Sequence, residues 1–413
     1  MLKQTEGSRA VAETVAHCRP EAIAAYPISP QTHIVEELSR LVKSGALTPC
    51  EYVNVESEFA AMSMCIGASA AGARTYTATA SQGLLYMVEA LYNASGLGLP
   101  IVMTVANRAI GAPINIWNDH SDTMSQRDSG WIQLYARDNQ EAADLHPQAF
   151  RLAEELSLPV MVCMDGFVLT HAWERIEVPE RAQVDAFLPP YDPRQVLDPD
   201  EPVSIGAMVG PDAFTEVRYL AHAKQMQALE AIPRVAAEFR DIFGRSSGGL
   251  VHPYACEDAE TIVVVLGSVF GTVCDVVDEM RGRGVPIGAL AITSFRPFPL
   301  DAVRTVLQRA RQVVVLERAL AVGIGGIVSA NVRTALSGIQ LDGHTVVAGL
   351  GGRPITKESL HRLFDDAIAG RLEQLTFLDL DTGLVERELA RMAKTRRSGP
   401  SAENILRDVG SNR

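Results

Sequence analysis

Short apolar runs alternate with amphipathic stretches along most of the chain, and this alternation constrains the fold more than any single motif. "AIAAYPI", "PIVMTVAN" and "PVMVCMD" are apolar runs of strand length; "PQTHIVEELSRLVKSG", ending at Gly45, "LLYMVEALYNASGLG" and "EAADLHPQAFRLAEEL" carry helical periodicity. "EYVNVES" and "RTYTATA" complete the strands predicted up to about residue 175. Strands alternating with helices imply a mostly parallel sheet covered on both faces. From about 176 to 250 the pattern breaks: "VPERAQVDAFLPPYDPRQVLDPDEPVS" is rich in Pro and Asp, and the helical "TEVRYLAHAKQMQALEAIPRVAAEFRDIFGR" follows it. A second α/β unit begins at "ETIVVVLGS" and continues through "VPIGALAI", "QVVVLE" and "TVVAGL". The expected division is a first unit over residues 1–254, including a connecting segment from about 176; a second over 255–384; and a charged, partly helical tail over 385–413 that binds partners or wraps the surface.

Composition excludes several classes. Fifty Asp and Glu against 37 Lys and Arg give a net charge of -13, which argues against a nucleic-acid partner. The six cysteines form no C-x-x-C pair, so no zinc or iron–sulfur ligand set is expected in this chain, and no metal ligands of its own. The cysteines in apolar runs read as reduced core residues, which points to the cytoplasm. No apolar run reaches the length of a membrane span, and "MLKQTEGSRAVAETVAHC" lacks the apolar core of a signal peptide. H-E-x-x-H does not occur, so a metalloprotease reading has no support.

In open parallel sheets, ligands gather beyond the carboxyl ends of the strands. Four segments place polar residues there: "YPISPQT" with Ser29, Gln31 and Thr32; "ESE" with Glu56 and Glu58; "TASQG" with Ser81, Gln82 and Gly83; and "ANRAIGAPINIWNDHSD" with Arg108, Asn115, Asp119, His120 and Asp122. Each has a plain structural alternative. Glu58 opens a helix of small apolar residues, so it is either a complement to the positive helix end or a carboxylate presented to a ligand. Arg108 either pairs with a nearby acid or waits for an anion. In the second unit, "GSVFGTV" and "VGIGGIVSA" place glycines before helices, where they either cradle phosphate or allow close backbone packing.

Taken together, "YPISPQTHIVEEL", "VESEFAAMSMCIGASAAGARTYTATASQGL", "NRAIGAPINIWNDHSDTMSQRDSGWIQLYA", "SFRPFP" with "VVVLERA", and "GLGGRPITKESL" resemble the alpha subunit of 2-oxoacid:ferredoxin oxidoreductases, the pyruvate type in particular. The resemblance covers nearly the whole chain. It implies a pyrimidine-binding domain of the thiamine diphosphate enzymes followed by a domain like the transketolase C-terminal one. The implied activity is oxidative decarboxylation of pyruvate or a related 2-oxo acid to acyl-coenzyme A and carbon dioxide, with electrons passed to ferredoxin. 2-Oxoglutarate, branched-chain 2-oxo acids, phenylglyoxylate and oxalate are alternative substrates, and a transketolase-like or 2-oxoacid dehydrogenase component is the alternative class. On this resemblance Glu58 is the catalytic, cofactor-binding carboxylate. Bonded to the aminopyrimidine of thiamine diphosphate, it favours the imino tautomer that takes the thiazolium proton. Ser81 and Gln82 also contact the cofactor. Arg108 clamps the substrate carboxylate through parallel hydrogen bonds, with Ser29 and Thr32 beside it; Ser29 stands where the family more often has threonine. No G-D-G…N segment is present to hold Mg2+ and the diphosphate. The resemblance assigns that site to a beta subunit and the iron–sulfur clusters to partners, with gamma and delta subunits completing an enzyme that is active only as a complex.

Overall fold

The computed structural model describes residues 2–202, 204–394 and 402–410. Two open sheets dominate it. The first has seven strands in the order Ser294–Arg296, Ile132–Tyr135, Val160–Asp165, Ile101–Asn107, Thr75–Thr79, Ala22–Ala25, Glu51–Asn54. All its neighbours run parallel except Ser294–Arg296, which lies antiparallel to Ile132–Tyr135. The second has six, in the order Leu375–Phe377, Asp342–Val347, Gln312–Glu317, Thr261–Val265, Ile287–Ile292, Val251–Tyr254, and only the last is antiparallel. The strands that read as continuous apolar runs, Ile101–Asn107, Val160–Asp165 and Thr261–Val265, are buried along their whole length, as helices on both faces require. The helix Asn139–Leu156 covers one face of the first sheet, with Leu145, Phe150 and Leu152 in the core.

Several elements lie where no alternating pattern announces them. Leu2–Glu6 pairs antiparallel with Trp173–Glu177 as a separate ribbon. The stretch expected as one helix over "LLYMVEALYNASGLG" is two, Ser81–Tyr86 and Val88–Gly96, broken at the fully buried Met87. The connecting segment contains a short helix, Arg181–Phe187, and then the 33-residue helix Pro211–Phe243, which opens on Pro211, where a missing N–H costs nothing, and closes on Gly244 in the left-handed region. The tail expected over 385–413 is helical at Thr382–Lys394 and Ala402–Gly410, linked by Arg391 and Asp408; residues 395–401 and 411–413 lie outside the described residues. Among the described residues, no helix is long and apolar enough to cross a membrane.

Each sheet has one topological switch point. In the first, the chain leaves Ala22–Ala25 toward Glu51–Asn54 and then places Thr75–Thr79 on the other side. In the second, it leaves Thr261–Val265 toward Ile287–Ile292 and then places Gln312–Glu317 on the other side. Such a reversal opens a crevice at the carboxyl ends of the two diverging strands.

Candidate active site

The crevice of the first sheet is bordered by Tyr26–Gln31, after one diverging strand, and by Ala80–Gln82, after the other. Glu58 opens the helix Glu58–Ala70 beside it. Ser57 is the N-cap, its Oγ accepting from the Ala60 N–H at 3.2 Å. Capping is therefore already provided by serine, and the Glu58 side chain is only 8% exposed. Among the described residues no donor bonds its carboxylate. Gly83 lies against it: a Cβ on Gly83 would sit 2.7 Å from Glu58 Oε1 and 2.6 Å from Thr79 Oγ1, a buried hydroxyl that itself has no partner. Glu56, by contrast, is exposed.

Arg108 is the corresponding cation. It is 6% exposed, and its guanidinium donates only to backbone carbonyls, from Nη1 to Ser29 at 2.9 Å and from Nε to Asn115 at 3.3 Å. No carboxylate pairs with it among the described residues. Burial lowers its pKa, with Asp122 opposing the shift. Burying a charge without a countercharge is costly, so Glu58 and Arg108 are each held ready for a group of opposite character.

Asp122 ties the two strand-end loops together. It is fully buried; its Oδ2 accepts from the N–H of Ser81 and of Arg108, both at 3.0 Å, and its Oδ1 accepts from Asn107 Nδ2 at 2.8 Å and the Thr123 N–H at 2.7 Å. Burial pushes its pKa up to about 6 against those four donors. Ser81, at φ +49°, is fully buried and gives its hydroxyl to the Ala109 carbonyl at 2.5 Å and to Gln82 Oε1.

The structure thus brings Glu58, Ser81, Gln82 and Arg108 to one rim. Ser29 reaches Arg108 through its carbonyl, while its side chain is exposed. Thr32, half-buried, starts the helix Thr32–Lys43 and is not hydrogen-bonded to Arg108. Gly83 and Asp122 stood in the quoted segments without a role. Their signal is weak in sequence, because it lies in what a Cβ would strike and in which backbone N–H groups converge.

The second switch point is filled. Asp165, at the end of its strand in the first sheet, reaches across and accepts from the Ser268 N–H at 3.0 Å, Ser268 Oγ at 2.5 Å and Arg318 Nη1 at 2.7 Å, while His120 Nε2 lies 2.7 Å from its other oxygen. Burial opposes its charge, yet His120 and Arg318 hold its carboxyl well below the usual range. Glu317 Oε2 accepts from the N–H groups of Ile327 and Val328 at 2.7 and 2.8 Å, and its Oε1 from that of Ser329 at 3.2 Å. A Cβ on Gly326 would sit 2.1 Å from Glu317 Oε1. Both glycine turns that were candidate phosphate cradles are occupied by the protein's own carboxylates, so the close-packing alternative holds.

A family profile described as pyruvate flavodoxin/ferredoxin oxidoreductase, thiamine diP-binding, matches residues 13–237. Another, the pyruvate:ferredoxin oxidoreductase core domain II, matches residues 259–360. Pyruvate synthase subunit PorA of Methanosarcina barkeri is 48% identical over 391 residues, covering 92% of this chain and 97% of that protein. The subunit of the same name from Methanocaldococcus jannaschii is 45% identical over 369 residues, covering 88% and 94%. Ketoisovalerate oxidoreductase subunit VorA of Pyrococcus horikoshii is 37% identical over 367 residues, covering 88% and 93%. Among solved structures, 2-oxoglutarate:ferredoxin oxidoreductase from Magnetococcus marinus, with 2-oxoglutarate, coenzyme A and succinyl-CoA bound, superposes with a TM-score of 0.68 at 19% identity, over 89% of this chain and 65% of that one. A split-gene transketolase, an inactive beta4 tetramer, gives 0.54 at 13% identity, over 89% and 99%.

Proposed function

This chain belongs to the pyruvate flavodoxin/ferredoxin oxidoreductase family and is the alpha subunit of a 2-oxoacid:ferredoxin oxidoreductase; from that premise we propose that it serves the oxidative decarboxylation of pyruvate by a complex that transfers the acyl group to coenzyme A. The observation that carries the reading is the pair of nearly buried, uncompensated charges, Glu58 and Arg108, at the switch point of the first sheet. Identities of 45–48% to pyruvate synthase subunits, against 37% to a ketoisovalerate oxidoreductase subunit, favour pyruvate over a branched-chain substrate.

Thiamine diphosphate fits the residues present. The orphaned Thr79 hydroxyl, the open face at Gly83 and the unpartnered Glu58 carboxylate form a cradle that a Cβ on Gly83 would fill. When bound, that cofactor supplies the nucleophilic carbon and the electron sink of a decarboxylation. Glu58 would face the cofactor's pyrimidine ring and hold a proton there. Gln82 and Ser81 shape the cofactor-facing turn, and Asp122 fixes that turn against the loop bearing Arg108. Arg108 orients the substrate carboxylate by two parallel hydrogen bonds, and Ser29 and Thr32 line the entry beside it. Mg2+ and the diphosphate would be held by a beta subunit, as this chain has no G-D-G…N segment. Iron–sulfur clusters on gamma and delta subunits would supply the path for electrons to ferredoxin. The working division is residues 1–254 and 255–384, supported by profiles that match 13–237 and 259–360. The reduced, free cysteines are consistent with a cytoplasmic enzyme.

A panel of 2-oxo acids given to the assembled complex, with coenzyme A and a viologen dye, tests the substrate. Pyruvate should give the highest kcat/KM. Preference for 2-oxoglutarate or 2-oxoisovalerate would overturn the assignment, and dye reduction with none of the acids would overturn the reaction class.

A further inference from the structure

We propose that Glu6, His33 and His171 form a binding site for one divalent transition metal ion of the zinc class, with a fourth position left to water. The three come from separate segments. Glu6 ends the strand Leu2–Glu6, His33 is the second residue of the helix Thr32–Lys43, and His171 lies in the turn after Val160–Asp165. One ligand atom from each falls within 4.8 Å of the other two. No local spacing signals this, which is why no metal ligands were expected from the sequence.

Glu6 is 5% exposed, and its two oxygens are used differently. Oε2 faces Arg9 Nε at 3.6 Å, whereas Oε1 lies 2.5 Å from His33 Nδ1. The rings of His33 and His171 have centroids 4.7 Å apart and planes at 35°. Two imidazoles bound to one zinc ion at about 2.0–2.1 Å place their ring centroids about 5 Å apart, so the histidines already stand close to the separation a shared ion needs. Ligand atoms on one such ion stand about 3.3 Å apart, so Oε1 and Nδ1 must part from 2.5 Å and the third ligand atom, within 4.8 Å of both, must close in. The ion takes the place of the proton shared by Glu6 and His33: it bonds Oε1 and Nδ1, and the proton leaves to solvent. The third ligand is oriented from behind, because His171 Nδ1 lies 2.7 Å from Thr170 Oγ1, which also accepts the Phe167 N–H at 2.8 Å. Outer contacts of this kind hold a metal-binding imidazole in place. The chemistry of the set, two imidazoles and one carboxylate, suits zinc over Mg2+ or Ca2+, which prefer oxygen ligands.

The position gives such an ion work to do. His33 directly follows the segment Ser29–Thr32, whose Ser29 carbonyl holds Arg108. The His171 ring packs on Phe167 at 4.8 Å, and Phe167 packs on Trp117 at 4.7 Å. An ion joining His33 to His171 therefore clamps the two loops on either side of the proposed substrate rim.

The competing account is an ordinary Glu6–His33 ion pair with a stacked neighbour, and binding measurements separate the two. Zn2+ is titrated into the metal-stripped full chain against a chromophoric chelator. Binding of one equivalent, on the order of micromolar or tighter, is expected. Glu6→Gln and His171→Ala should each weaken it by at least about tenfold, and His361→Ala, at a separate surface Glu–His pair, should leave it unchanged. Zn2+ should also raise the melting temperature of the wild type and not that of His171→Ala. No saturable single site, or equal affinity in wild type, Glu6→Gln and His171→Ala, would overturn the proposal. These readouts use no turnover, so they stand or fall apart from the reaction assigned above.

Discussion

The two sheets share a plan and use their switch points in opposite ways. At the second, both buried carboxylates are answered from within the chain: Glu317 by three backbone N–H groups, and Asp165, reaching over from the first sheet, by Arg318, His120 and Ser268. At the first, Glu58 and Arg108 are also buried, though less deeply, and among the described residues no side chain of opposite charge forms an ion pair with either. Burial alone therefore does not mark a site. A buried charge saturated by its own backbone is architecture; one left open is held for a ligand.

Substitutions test that contrast from both sides. The largest kinetic effect is expected at Arg108. In the assembled complex, Arg108→Ala should lower kcat/KM for the 2-oxo acid by about two to four orders of magnitude, as loss of a charge-assisted pair to a buried anion costs about 3–5 kcal/mol. Its melting temperature should barely move. Intact kcat/KM would place Arg108 with the architectural charges. Asp165→Ala should show the reverse: urea unfolding of the full chain should report a loss of about 3–5 kcal/mol, because Arg318 is left buried without its partner. If Asp165→Ala unfolds like wild type, the second switch point is not held as described.

Glu58→Gln comes next. The shape is kept but the amide cannot exchange a proton, so turnover should fall by at least about a hundredfold, the lower end of general acid–base contributions. Since Ser57 already caps the helix, stability should change by less than about 1 kcal/mol. Full turnover in a cofactor-loaded Glu58→Gln complex would reject the assignment.

The smallest effect concerns Asp122. Its folded pKa, about 6, stands above the ordinary carboxylate value because it is buried. The folded state therefore holds a proton that the unfolded state has released. That contribution is complete below the ordinary pKa and fades as pH rises through about 6. Between pH 5 and 7 it should remove about 1 kcal/mol of stability, and Asp122→Asn should lack this slope whatever its absolute stability. An identical slope in the variant would assign the titration elsewhere.

Much of this architecture was legible in the residues, because fully buried parallel strands must be apolar throughout and "PIVMTVAN" or "TIVVVLG" can hardly be anything else. The ribbon strands Leu2–Glu6 and Trp173–Glu177 were not, since they carry a solvent face and no distinctive run, and neither was Ser294–Arg296, which is buried but only three residues long. In the site, Glu58 and Arg108 could be picked out because a charge in an apolar or strand-end context is conspicuous. What each faces could not: that Ser57, not Glu58, caps the helix, that Asp122 gathers two loops, and that Glu317 fills the glycine turn all depend on distances between segments far apart in the chain.

The strand Ser294–Arg296 carries a consequence for biosynthesis. It closes the edge of the first sheet by pairing with Ile132–Tyr135, yet leaves the ribosome roughly 160 residues later. Until then the nascent first unit exposes an unpaired edge, and pairing across such a separation is slow. A fragment ending at residue 254 would keep that edge open indefinitely and offer it to any neighbouring chain. Translation past Arg296 is thus the event that makes the first half of the molecule safe from its own copies, whatever its core has achieved by then.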